Sequence, residues 1–148
     1  EHAVPAVLKM MGKPPVKSLV DFKAQFEALS HQAGKDQYLT YYLIAAYPGC
    51  SDREMKQLKD FVTSKLRMTP EQVQVFTPTP STYASVMYYT EKDPFTGEPI
   101  FVEKNLQRKV AQKEIVTMPM GGSPKPGKQA SWQKNGYAQT NSQQKRSK

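Results

Sequence analysis

Apolar positions in the first part of the chain recur at helical spacing. The first stripe predicts a short helix that Gly12 and the following prolines end, and its apolar members are Val4, Val7, Leu8 and Met11. The second stripe has spacings of three and four, and its members are Leu19, Phe22, Phe26, Leu29 and Ala33. This second pattern predicts an amphipathic helix over residues 18–33, closed by Gly34 in the C′ position.

The middle of the chain changes to a strand pattern. Residues 38–47 are apolar and aromatic without clean alternation, which is typical of a strand buried on both faces in a parallel sheet. Ser51 and Glu54 form a capping box that predicts the start of a helix, with apolar positions at Met55, Leu58, Phe61, Val62 and Leu66. Residues 72–77 then read as a second strand, parallel to the first by the crossover rule.

The last third of the patterned region is less regular. Residues 81–89 indicate a short helix or an irregular loop, and residues 93–97 have turn composition. Residues 100–102 are a candidate short third strand, and residues 103–116 form a helix with a thin stripe of Leu106, Val110 and Ile115. The expected fold class is therefore α/β, with two or three parallel strands flanked by four helices.

Composition divides the chain into two parts. No Leu, Ile, Val or Phe follows Met118, and six of the eight net positive charges lie beyond that residue. Residues 118–148 are therefore predicted to be a disordered basic tail, because they cannot bury enough surface to offset their ordering entropy. Residues 1–117 form one predicted domain. Their charges nearly balance, so the basic isoelectric point of the chain comes mainly from the tail.

Cysteine usage and hydropathy limit the class of protein. One cysteine cannot form an internal disulfide, which fits a reducing compartment, and a cytoplasmic location is expected. No apolar run approaches the 18 or so residues that span a bilayer, and no secretory signal opens the chain, so no membrane partner is expected. A first dipeptide of Glu1-His2 without Met fits a piece of a longer polypeptide.

Four segments carry a resemblance to a known family. They are EHAVPAVLKMMGKP at residues 1–14, YYLIAAYPGCSDREM at 41–55, QVQVFTPTPSTYASVMYYT at 72–90 and DPFTGEPIFVEKNLQRK at 93–109. Together they cover most of residues 1–117, and the chain resembles the C-terminal region of the uncharacterised YgiQ-type radical S-adenosylmethionine iron–sulfur proteins. The resemblance implies that residues 1–117 are a partial (βα) barrel fragment, the C-terminal part of the barrel with an accessory region. Glu1-His2 would then end an upstream barrel strand.

The resemblance also implies which residues lie near a cofactor. A Gly-aromatic-Pro-Gly-Glu segment lies beside S-adenosylmethionine in related enzymes, and it aligns with residues 46–50, where Ala46 replaces the Gly and Cys50 the Glu. The implied cofactor-side residues, which would act mainly through backbone and shape, are Ala46, Tyr47, Pro48, Gly49, Phe76, Thr77 and Pro78.

The family's cofactors cannot be assembled by this chain alone. Its members hold a [4Fe–4S] cluster with three thiolates in a CxxxCxxC run, and this chain has one cysteine. The cluster and S-adenosylmethionine are therefore expected only in the full-length protein, whose upstream half is the implied partner. No metal site is expected in this chain, which should be inactive alone, and the substrate is unknown.

Several residues keep two interpretations. Cys50 is either a thiolate favoured by a helix N-terminus or a small residue in a tight turn. Glu1 and His2 either face a substrate or form a frayed terminus, while His31 is expected to be solvated. The aromatic helix either stacks on a base or belongs to the core, and its members are Tyr83, Met87, Tyr88 and Tyr89.

The tail supports the alternative function. A positive segment that includes Trp132 and Tyr137 would let the chain act as a non-catalytic binding module on nucleic acid. The competing interpretation is a solubilising end without a partner.

Overall fold

The computed structural model of the chain describes residues 2–118. The predictions for Glu1 and for the tail after Met118 fall outside these residues. The described part has five helices and two strands, in the order α1 (Pro5–Met10), α2 (Lys17–Gln32), β1 (Ile44–Ala45), α3 (Asp52–Phe61), β2 (Gln74–Val75), α4 (Tyr83–Thr90) and α5 (Leu106–Thr117). A π-helical turn, Val62–Leu66, continues α3. There is one more helix than the four expected. The extra helix is α4, in the segment that was predicted to be either a short helix or an irregular loop.

The two strands form a parallel pair, which confirms the predicted α/β class. Ile44 pairs with Gln74 and Ala45 with Val75. The Gln74 N–H donates to the Leu43 carbonyl at 2.8 Å, and the Phe76 N–H donates to the Ala45 carbonyl at 2.9 Å. A crossover through α3 between strands that run the same way is the expected βα arrangement.

The strands are shorter than predicted. Burial on both faces is wrong for the first part of residues 38–47, because Tyr38 is 86% exposed and Tyr42 is 61% exposed. The candidate third strand at residues 100–102 is also wrong. The Ile100 N–H donates to the Glu91 carbonyl at 2.9 Å, and this segment returns to the end of α4 as a loop.

The sheet is fully packed on one face and only partly covered on the other. Leu43, Ala45 and Val73 are buried in the same core as Met55 and Leu58 of α3. Side chains alternate along a strand, so Ile44 and Gln74 lie on the opposite face. Gln74 is exposed and Ile44 is half-buried. Parallel sheets are almost always covered on both faces, so this partly open face, which we call the bare face, is unusual for a complete parallel sheet.

Helix α3 forms as its sequence predicts. Ser51 accepts a hydrogen bond from the Arg53 N–H at 3.2 Å, and its own N–H donates to Glu54 at 2.9 Å, completing the capping box. The apolar stripe is buried at Met55, Leu58, Val62 and Leu66. Local capping and burial therefore favour the same helix.

Helix α2 forms where predicted, but its apolar face is only partly covered, with Leu19 packed against the core. Gly34 has a φ of +61°, and its N–H donates to the His31 carbonyl, which confirms the predicted C′ glycine. However, Phe22 is 53% exposed and Leu29 is 64% exposed. The solvated position expected for His31 is confirmed.

Helix α5 buries a different face from the one predicted. Leu106 is 71% exposed and Val110 is 40% exposed, so these two members of the predicted stripe do not face the core, whereas the third member, Ile115, packs against it. The buried positions are Lys109, Gln112 and Val116, again at helical spacing. Polar residues on the inner face explain why the hydrophobic pattern indicated the wrong side.

Candidate functional site

Two loops meet at the carboxyl ends of the parallel strands. The first joins β1 to α3 through residues 46–51, and the second joins β2 to α5 through residues 76–105 and carries α4. The ring centroids of Tyr47 and Phe76 lie 5.2 Å apart in an edge-on arrangement, so the loops are in contact. This end of a parallel sheet is where α/β folds place their ligands.

The β1–α3 loop is a tight turn held by backbone bonds. The Cys50 N–H donates to the Tyr47 carbonyl at 2.9 Å, with Pro48 and Gly49 in the middle of the turn. Gly49 has a φ of +85°, the left-handed conformation that glycine adopts at this turn position. The Gly49 N–H donates to the Phe101 carbonyl at 2.7 Å, which ties the first loop to the second.

The space beside Gly49 is filled by the chain itself. A Cβ atom at this position would lie 3.3 Å from the sulfur of Met10. Tyr47 reinforces this contact, because its hydroxyl donates to the Met10 carbonyl at 3.4 Å. The turn therefore packs against the end of α1, which favours the interpretation that Pro48 and Gly49 shape the backbone.

Gly49→Ala is expected to destabilise the chain more than Gly97→Ala. Both glycines have positive φ, at +85° and +75°, so each alanine costs about 1 kcal/mol in backbone strain. Gly97 has open space beside it, whereas Gly49 faces the Met10 side chain, which must shift by a few tenths of an ångström and adds up to about 1 kcal/mol of crowding. Urea unfolding of the two variants measures the difference, and equal losses would contradict the packing role of Met10.

The end of β2 leads into a row of aromatic contacts. Phe76 lies 5.9 Å from Tyr88 of α4, measured between ring centroids. The ammonium of Lys109 lies 4.5 Å from the centre of the Tyr88 ring and donates to its hydroxyl at 3.2 Å. Lys109 is buried, so the row links both loops to α5.

The structure brings all seven implied cofactor-side residues to this end of the sheet. Ala46 and Pro48 are buried inside the turn, and Ala46 has a φ of +57°. Thr77 is exposed, while the remaining four are half-buried, namely Tyr47, Gly49, Phe76 and Pro78. Their contact with a cofactor stays a prediction.

Cys50 and His2 form a buried neutral pair below the loop. The Cys50 sulfur lies 3.5 Å from Nε2 of His2, whose Nδ1 accepts a hydrogen bond from the Val4 N–H at 3.1 Å. Burial raises the pKa of Cys50 to about 12 and lowers the pKa of His2 to about 4. The thiolate interpretation is therefore wrong, and so is a frayed His2, which is only 5% exposed.

Helix α4 has both buried and exposed side chains among the residues predicted either to stack on a base or to belong to the core. Met87 is buried, which confirms the core interpretation for this residue, whereas Tyr88 is half-buried. The core interpretation is wrong for Tyr83 and Tyr89, which are 65% and 71% exposed.

Three contributors were missed at the sequence level. They are Met10, Lys109 and Gln112. Of these, only Lys109 and Gln112 have a signal in the sequence, because they lie at helical spacing with the buried Val116. The Gln112 amide donates to the Cys50 carbonyl at 3.5 Å, while its Oε1 has no partner among residues 2–118. Within the same residues no group of three His, Cys, Asp or Glu side chains could hold a metal ion.

Comparison with known proteins gives consistent matches. Residues 71–119, which include β2, the long loop and α5, match a domain of unknown function, DUF3362. The chain is 55% identical over 117 residues to a UPF0313 protein of Fusobacterium nucleatum, covering 79% of this chain and 21% of that protein. It is 44% identical over 125 residues to a UPF0313 protein of Thermotoga maritima, covering 84% of this chain and 22% of that one.

These matches extend to an archaeal protein. A UPF0313 protein of Methanosarcina acetivorans is 38% identical over 116 residues, covering 78% of this chain and 16% of that protein. The chain thus spans about a fifth of the length of the curated relatives it matches. No solved structure matches it. Among the described residues, no helix is long and apolar enough to cross a membrane.

Proposed function

We propose that this chain is the C-terminal accessory portion of a radical S-adenosylmethionine iron–sulfur enzyme, supplying later strands of its barrel. The observation that carries the proposal is the bare face of a parallel strand pair. In a (βα) barrel the helices cover the outer face, and side chains of the other strands fill the inner one. Ile44 and Gln74 would then point into the barrel, with α3 and α5 outside.

The length of the relatives supports this arrangement. The chain covers about a fifth of each UPF0313 protein, which leaves ample sequence for the remaining strands. His2 and Ala3 are buried beside the core, so a preceding strand would enter next to β1. The upstream half of the same polypeptide is thus the proposed partner.

The residues present do not fit the iron–sulfur cluster. Cluster iron is bound by cysteine thiolates, and the one cysteine is buried, with its pKa raised to about 12. No other grouping of possible ligands occurs in residues 2–118. We therefore place the cluster ligands in the upstream part of the protein and assign none to this chain.

The residues of this chain that would meet S-adenosylmethionine lie at the two strand ends. When bound, that cofactor supplies a 5′-deoxyadenosyl radical for hydrogen abstraction from a substrate that stays unidentified. Tyr47 and Phe76 offer half-buried ring surface there, and Thr77 offers an exposed hydroxyl. The turn at residues 46–50 would hold Tyr47 in place rather than contact the cofactor through its buried side chains.

In the full-length protein, Tyr47→Ala is expected to lower the rate of 5′-deoxyadenosine formation roughly tenfold or more. Loss of the side chain that packs on Phe76 and donates a hydrogen bond to the Met10 carbonyl would misplace the strand-end surface, and small displacements of a reacting group are costly. The measurement is anaerobic reconstitution followed by a 5′-deoxyadenosine assay, with Tyr38→Ala as the exposed control. A full-length protein that binds no [4Fe–4S] cluster contradicts the proposed function, and an unchanged rate in Tyr47→Ala contradicts the site.

A further inference from the structure

Helix α2 carries an apolar stripe that the described residues cover only in part. Its members have the spacing of the a and d positions of a heptad repeat, and they are Leu19, Phe22, Phe26 and Leu29. Leu19 and Phe26, at the a positions, are half-buried. Phe22 and Leu29, at the d positions, are 53% and 64% exposed. One side of the stripe is therefore open to solvent in the described part of the chain.

A groove beside this stripe lies at the amino-terminal end of the strand pair. It has a volume of about 500 Å³. Its walls come from α2, from the segment before β1 and from the turn after α3, and they include Phe26, Tyr38, Leu39, Leu66 and Met68. The strand-end loops lie at the opposite end of the same strands, so this apolar surface is separate from the candidate cofactor site.

The spacing of the stripe indicates which kind of segment fits it. A strict a/d repeat is the narrow seam along which two α-helices pack, whereas a helix that covers a wider core has a broader apolar face. The flanking positions add little charge. Three of them are neutral, namely Ser18, Gln25 and Gln32. The ammonium of Lys23 pairs with Glu27 of the same helix. The stripe therefore suits a second amphipathic helix.

The longer polypeptide has room for such a helix. The chain spans about a fifth of the length of the UPF0313 proteins it matches. Along the sequence α2 lies between the buried His2 and β1, so an outer helix that precedes His2 is its neighbour in order, and neighbouring elements usually pack together. A helix of the same polypeptide also acts at an effective concentration on the order of millimolar, which favours it over a second copy.

We propose that Phe22 and Leu29 of α2 pack against an amphipathic helix from the part of the polypeptide that precedes residue 1. The contact completes the seam that Leu19 and Phe26 begin on the chain's own core. This interface goes beyond the proposed radical chemistry, because it needs neither cluster nor cofactor. It rests on the proposed function only for the C-terminal position of the chain in the longer protein.

Thiol labelling at residue 29 tests whether the seam is covered. Leu29→Cys is expected to react quickly with iodoacetamide in the 148-residue chain, whose native Cys50 is buried. In the full-length protein the same cysteine should react roughly tenfold more slowly or less, because the thiol must wait for the interface to open. Mass spectrometry of the labelled peptide gives both rates. Ala24→Cys, exposed at the f position on the far side of α2, is the matched control and should react equally in the two proteins.

Photo-cross-linking identifies the segment that covers α2. With p-benzoylphenylalanine in place of Phe22, the full-length protein should form a cross-link within one polypeptide, to a helix that precedes residue 1. Two results overturn the proposal: equal labelling of residue 29 in the two proteins, and a cross-link from residue 22 that joins two copies. A full-length protein that holds no [4Fe–4S] cluster but protects residue 29 contradicts the proposed function and supports this interface.

Discussion

Leu58→Ala is expected to cost the chain about 3 kcal/mol of unfolding free energy, one of the two largest stability effects we predict. Leu58 is fully buried in the core beside Leu43 and Met55, so truncation loses transfer free energy and leaves a cavity. Domains of this size are stable by only about 5–15 kcal/mol, and a sheet with one bare face should lie toward the lower limit. Urea unfolding followed by far-UV circular dichroism measures the loss.

Leu29→Ala is the matched control, because it makes the same change on another amphipathic helix. Leu29 is 64% exposed on α2, so the expected loss is within about 0.5 kcal/mol. Comparable losses in the two variants would show that the apolar face of α2 is buried in solution, and the described packing would then be wrong.

The second large effect is a loss of stability on acidification that depends on His2. Burial lowers the pKa of His2 from 6.5 to about 4, so the unfolded chain binds a proton that the folded chain excludes between these pH values. The contribution of neutral His2 is therefore complete above pH 6.5 and is lost as the pH falls toward 4. The expected loss over this window is about 3 kcal/mol.

His2→Asn isolates this contribution from the titration of carboxylates. The Asn side-chain oxygen can accept the Val4 N–H in place of Nδ1, and the variant has no titrating ring. The wild-type chain should lose more stability between about pH 7 and pH 4 than the variant does, by about 3 kcal/mol. His31→Asn, on the solvated face of α2, should behave like the wild type. A His2→Asn variant with the wild-type pH profile would contradict the buried position of His2.

The elements that local sequence could specify were predicted well. Helix α3 has a capping box and an apolar stripe that favour the same face, and its crossover position fixed the parallel direction of β1 and β2. Gly34 ends α2 where the pattern placed it, because the left-handed conformation is a local requirement.

The elements that depend on distant partners were predicted poorly. The exposed apolar side chains of residues 38–42 and of α2 followed the pattern of buried segments, yet nothing in residues 2–118 covers them. Helix α5 buries Lys109 and Gln112 because they meet Tyr88 and Cys50, contacts that no sequence period reveals. The hydrophobic pattern identifies the apolar face of a helix or strand. It does not identify the segment that packs against that face, because that segment lies far away in the sequence.

The candidate site was likewise predicted well where it depends on local sequence and poorly where it depends on distant residues. The strand-end loops could be located from Pro48, Gly49 and the prolines after β2, since turn chemistry is local. The packing of Met10 against Gly49 and the buried pair of Cys50 with His2 could not be predicted, because each joins residues about forty or more positions apart.

Hydrogen exchange at the edge of β1 tests the barrel proposal most directly. Leu43 and Ala45 bond to β2, so the amide of Ile44 points to the opposite edge, where the preceding barrel strand would pair. Exchange resolved by mass spectrometry should show the Ile44 amide slow in the full-length protein and fast in the 148-residue chain. The Gln74 amide, which bonds to Leu43 in both, serves as the internal reference. Equal exchange at Ile44 in the two proteins would contradict a barrel completed by the upstream strands.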